Sequence, residues 1–97
     1  MDTYMSEKEL YDKLIEKFGI TAQALMLAEE LGELVKAINK RIRGKTVGTI
    51  EISEEIADVL IMIRQMIQYF GIDPEDVLKL VNEKVRRSIE RLKKGEI

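Results

Sequence analysis

The stretch EEIADVLIMIRQMIQYFGIDP, residues 54–74, decides the fold. Its apolar residues, among them Ile56, Val59, Leu60, Ile63, Ile67 and Phe70, fall around most of a helix circumference rather than along one stripe, so this helix needs burial on several sides. Gly71 stops it, and Asp73 with Pro74 supplies an N-cap and a first-turn proline for another helix running to about Lys94. Towards the N-terminus, Gly44 to Ile52 combines two glycines with β-branched Thr46, Val47, Thr49 and Ile50 and has no helical period. It reads as a loop, with the apolar helix starting at Ser53 or slightly before. A second helix, capped by Thr21, carries Leu25, Leu31, Leu34 and Ile38 and ends near Arg43. A first opens at Ser6, whose spacing to Glu9 is that of a capping box, and ends at Phe18 before Gly19. No strand or internal repeat is visible. The expected fold is all-α: one domain over residues 1–97, a four-helix bundle. One small chain cannot cover the apolar helix completely, so the bundle is completed by oligomerisation, as a dimer or tetramer.

Composition narrows the chemistry. The chain has no Cys and no His, which excludes disulfides, thiolate catalysis and histidine-bearing metal sites, leaving oxygen as the plausible ligand atom. A net charge of −2 argues against nonspecific attraction to a nucleic-acid backbone, and few aromatic residues are present for base stacking. The longest apolar run, Val59 to Ile63, is far too short to span a bilayer. With no leader pattern visible, the expectation is a cytoplasmic protein with no membrane or nucleic-acid partner.

Against that background, two carboxylate pairs stand out: Glu30 with Glu33, and Glu55 with Asp58. Residues i and i+3 project from one side of a helix, so each pair can present two carboxylates to one point. A short polar connection makes the two helices antiparallel neighbours, able to surround one or more hard cations. Elsewhere, acids have basic residues four positions on: Glu9 and Lys13, Glu75 and Lys79, Glu83 and Arg87, Glu90 and Lys94. Such solvated pairs are worth roughly 0.2–0.5 kcal/mol each. Around the two carboxylate pairs the pattern is reversed, since Glu29 to Glu33 and Glu54 to Asp58 are like charges at i+4. Glu30 is flanked by Met26, Leu27 and Leu34, and Asp58 shares its side with Ile61, Met62 and Gln65. Semi-buried acids without basic neighbours bind cations, take up protons, or pair with a basic group from another helix.

On the last helix, Lys84, Ser88 and Arg91 line up beside Val77, Leu80 and Val81. A solvated basic face accounts for these cations taken alone. Beside a carboxylate–metal cluster they are suited to phosphate oxygens, the metal and the cations sharing the charge of a polyphosphate.

The segments EELGEL (Glu29–Leu34) and EEIADVL (Glu54–Leu60) resemble the EExxEL and ExxD elements of the MazG-like nucleotide pyrophosphohydrolases, an all-α superfamily. Gln23, the GID at Gly71–Asp73, Lys84 and Arg91-Leu92 are similar to the same pattern, so the resemblance covers about Phe18 to Leu92. Ser88 departs from it, standing where many relatives carry Asn. The resemblance implies cleavage of a nucleoside triphosphate between the α and β phosphates, giving the monophosphate and pyrophosphate. It implies Mg²⁺, with Mn²⁺ as a substitute, held by Glu30, Glu33, Glu55 and Asp58. One of these acids, or Glu29 or Glu54 from the outer shell, would orient the attacking water. Lys84 and Arg91 would stabilise the triphosphate, Ser88 would lie at the phosphate or ribose, and Gln23 with Phe18 would lie near base or sugar. The alternatives are a catalytically inactive MazG-like regulatory or interaction module, and a plain helical bundle that binds an acidic or basic protein partner, its acids neutralised by Lys84, Arg87 and Arg91 across the bundle.

Overall fold

A computed structural model describes residues 4–46 and 48–97; Met1–Thr3 and Val47, which the sequence assigns to the polar N-terminus and the loop, lie outside them. The described residues form three α-helices and no strand: α1 (Glu7–Ile42), α2 (Thr49–Tyr69) and α3 (Pro74–Lys93). The expected break at Gly19 is present, as a sharp kink across which the first two expected helical segments run on as the two arms of α1. Only Gly19 leaves helical geometry there, at φ 83° and ψ 158°, a conformation that glycine alone adopts readily. Thr21 therefore lies within α1 and caps nothing.

The kink divides α1 into two arms that run in opposite senses along α2. On the first arm, Glu7 meets Arg64 at 3.4 Å and Asp12 accepts from Gln68 Nε2 at 2.7 Å, so residue numbers rise together. On the second arm, Glu30 meets Asp58, and Glu33 shares a small cavity with Glu55, so numbers rise on one helix as they fall on the other. Antiparallel packing of the two acidic segments is thus achieved.

The caps follow the sequence at both outer helices. Ser6 Oγ accepts from the Glu9 amide at 3.1 Å, and Asp73 accepts from the Glu75 amide at 2.9 Å ahead of Pro74. The start of α2 differs, beginning at Thr49 rather than Ser53. Glu51 explains the shift: its carboxylate accepts the Gly48 amide at 2.6 Å, closing a helix start that tolerates β-branched Thr49 and Ile50 in the first turn. Ser53 instead donates its hydroxyl to the Thr49 carbonyl at 2.8 Å. Among the described residues the ion pairs that form are Lys8–Asp12, Glu7–Arg64 and Arg91–Glu96, not the four expected i,i+4 pairs. Solvated lysines and arginines gain too little from such contacts to hold them in one rotamer.

The buried core is small: Tyr11, Val59 and Met62, with the polar Gln23 and Gln65. Tyr11 donates its hydroxyl to Glu7 at 2.6 Å, and burial with this hydrogen bond pushes its pKa up to about 12. Gln65 is 1% exposed, and neither its amide nitrogen nor its carbonyl oxygen has a hydrogen-bond partner. Such orphaned groups cost about 1–3 kcal/mol each.

Helix α3 buries no residue and packs only marginally on the rest of the chain. Leu78, Val81, Val85, Ile89 and Leu92 make an apolar stripe along it, each about half exposed or more. Consequently the radius of gyration is 17.3 Å, against about 13 Å for a compact chain of this length. The accessible surface is 7934 Å², against about 5,700 Å² for a compact monomer of this mass.

Candidate metal centre

Three of the four singled-out acids converge. Glu30 from the second arm of α1 and Glu55 with Asp58 from α2 each offer a carboxylate oxygen, and these oxygens lie within 4.8 Å of one another. Helical spacing brings Glu55 and Asp58 to one side of α2, and the antiparallel register brings Glu30 across to them. Glu30 and Glu55 are half-buried; Asp58 is exposed, more so than its apolar neighbours in sequence suggest. Glu33 is not part of this trio. It lies one turn further along α1, on the wall of a cavity of about 170 Å³ that it shares with Glu55, Lys36, Ala37 and Lys40.

The electrostatics of the trio are unrelieved. Partial desolvation raises the Glu30 carboxyl above its ordinary value, and the charges of Asp58, Glu55, Glu29 and Glu33 push in the same direction. No basic side chain is among the causes of the Glu30 shift, and α3, which carries Lys84, Arg87 and Arg91, packs only marginally on the rest of the chain. Glu29 and Glu54 are exposed on the flanks of the cluster.

The residues expected at the substrate fall into two groups. Gln23 is buried in the α1–α2 seam, 6% exposed, seven residues and roughly 10 Å along the helix from Glu30. Lys84 and Ser88 instead line an apolar cavity of about 350 Å³ on α3, and Arg91 pairs with Glu96 at 3.9 Å. None of these three lines the cavity that Glu33 and Glu55 share. Phe18 is half exposed, with the Lys17 ammonium 5.3 Å from its ring centre. Two features lie outside the expected site: Lys36 and Lys40 at the cavity beside Glu33, which the helical period puts towards the solvated side of that helix, and the orphaned amide of Gln65. The i, i+4 spacing of the two lysines on the helix that carries Glu33 is a signal that could flag them; a buried amide has no local sequence signal.

No helix is long and apolar enough to cross a membrane among the described residues. Comparison with curated proteins and with solved structures gives no match. The family model described as the MazG nucleotide pyrophosphohydrolase domain matches residues 18–92, from the residue before the kink to the last turn of α3. The match spans most of the chain and includes both acidic segments, and on that ground this protein belongs to the MazG nucleotide pyrophosphohydrolase domain family.

Proposed function

We propose that this chain is a Mg²⁺-dependent pyrophosphohydrolase that splits nucleoside triphosphates, ribo- or deoxyribo-, into the monophosphate and pyrophosphate. In this reading residues 1–97 form one helical domain that works in the cytoplasm as a homo-oligomeric bundle. The observation that carries it is the convergence of Glu30, Glu55 and Asp58, whose carboxylate oxygens lie within 4.8 Å of one another.

The donor set fits the metal. All three groups are hard, anionic oxygens, which suits Mg²⁺ and, as a substitute, Mn²⁺. Glu30, Glu55 and Asp58 would hold the cation between the two helices, through carboxylate oxygens that lie within 4.8 Å of one another. Glu33 adds a fourth carboxylate from the adjacent turn. When bound there, the cation supplies positive charge to phosphate oxygens and acidifies water, the two needs of phosphoryl transfer. The acids fix its position between two helices, and one of them, or Glu29 or Glu54, orients the attacking water. Gln23 lies on the nucleoside side of the cluster. Ser88, Lys84 and Arg91 approach the triphosphate from a second copy, whose α3 covers apolar surface that one chain leaves open. The excess accessible surface and the uncovered α3 stripe support that assembly.

The test is product analysis for a panel of ribo- and deoxyribonucleoside triphosphates with and without Mg²⁺. Metal-dependent release of pyrophosphate is expected. Orthophosphate would place cleavage at another bond, and inactivity of a folded, Mg²⁺-binding protein would favour a regulatory module.

A further inference from the structure

We propose that Lys36 and Lys40 form, with Glu33 and Glu55, the seat of the leaving pyrophosphate, a binding site contained within one chain; the inference rests on the function proposed above. The cavity walled by Glu33, Lys36, Ala37, Lys40 and Glu55 begins where the acid trio ends, because Glu55 belongs to both. A triphosphate with its α phosphate at the trio and its nucleoside on the Gln23 side therefore extends its β and γ phosphates into this cavity.

The lysines are placed to receive them. Side chains on a helix lean towards its N-terminus, so Lys36 and Lys40, which follow Glu33 on α1, lean back towards the acids. They are four residues apart and occupy one face. Both wall a cavity that also holds two carboxylates, yet among the described residues neither ammonium comes within ion-pair distance of a carboxylate. Lys40 is half-buried in this position. A cation held beside acids without pairing to them is available to an anion that a metal at the trio would bring in. Pyrophosphate is the one product whose charge develops at this end of the substrate. The lysines hold it there, and hydrolysis needs no bond-making from them.

The test is calorimetric titration of inorganic pyrophosphate in Mg²⁺, which requires no turnover, into the wild type, the double variant Lys36→Gln/Lys40→Gln and the double variant Lys36→Arg/Lys40→Arg. Circular dichroism establishes that each variant is folded. The expected result is weakening of roughly 10-fold or more in the glutamine variant, recovery in the arginine variant, and unchanged binding of a nucleoside monophosphate. Pyrophosphate binding that is equal in wild type and glutamine variant overturns this inference alone. Equal weakening for the monophosphate overturns it too, since the lysines would then act only as a general positive field. A wild type that binds no pyrophosphate in Mg²⁺ overturns both the inference and the metal site on which it rests.

Discussion

The two ends of the α1–α2 seam use the same pair of helices to opposite effect. At one end Glu30, Glu55 and Asp58 gather partly exposed negative charge, and none of the causes that raise Glu30 is a cation. At the other, Tyr11, Gln23 and Gln65 bury neutral polar groups, and Val59 with Met62 lies between. The buried end obeys the rules for a stable core in part, with Tyr11 hydrogen-bonded and Gln65 orphaned. The acidic end works against stability on its own, through the desolvation and mutual repulsion that raise Glu30. A region that costs stability yet is held in place by both helices is where activity is to be sought.

Substitutions separate the two ends. Glu30→Gln or Asp58→Asn should lower metal-dependent turnover by on the order of 10³-fold while leaving circular dichroism unchanged, since the metal contributes several kcal/mol to such reactions. Steady-state kinetics with Mg²⁺ in excess decides this, and near-wild-type rates would move the chemistry elsewhere. In the middle of the seam, Met62→Ala should cost about 2–5 kcal/mol in urea unfolding, because the core has few residues to share the loss. At the buried end, Gln65→Met should raise stability by about 1–3 kcal/mol, removing two unpartnered groups at similar volume. A fall in melting temperature would mean that the amide is satisfied in solution.

The two ends also answer differently to pH. Tyr11 has a folded pKa near 12 against an unfolded value of 10.0, so the folded state holds this proton more tightly and loses stability as pH rises from 10 towards 12. Tyr11→Phe should abolish that alkaline loss, at a cost of about 1 kcal/mol at neutral pH. Glu30 is likewise raised, above its ordinary 4.5. Its contribution therefore turns against folding as pH rises above 4.5, and favours folding again on acidification. Thermal melts from pH 4 upward without metal should show this slope, and Mg²⁺ or Glu30→Gln should flatten it.

Much of the fold and of the acidic site is legible in the amino-acid sequence. Ser6 with Glu9, and Asp73 with Pro74, mark helix starts because capping is local chemistry, and Gly19 marks a break because only glycine suits the backbone needed there. The acids are legible because i, i+3 spacing fixes a shared face. The remainder depends on partners distant in sequence or on competition between local signals. Gly48, Thr49 and Ile50 read as loop, yet the Glu51 carboxylate closes the helix start. Glu33 shares a face with Glu30, but the crossing of the two helices selects Glu30 for the trio. Helix α3 carries the expected amphipathic pattern, and the pattern alone does not say that its apolar stripe goes uncovered within one chain.

The central claim is that the acid trio is a divalent-cation site, and paramagnetic broadening by Mn²⁺ tests it most directly. Substoichiometric Mn²⁺ added to ¹⁵N-labelled protein should broaden amide signals centred on Glu30, Glu55 and Asp58, with Mg²⁺ reversing the effect and Glu30→Gln weakening it. Broadening centred elsewhere, or none at millimolar Mn²⁺, would contradict the account.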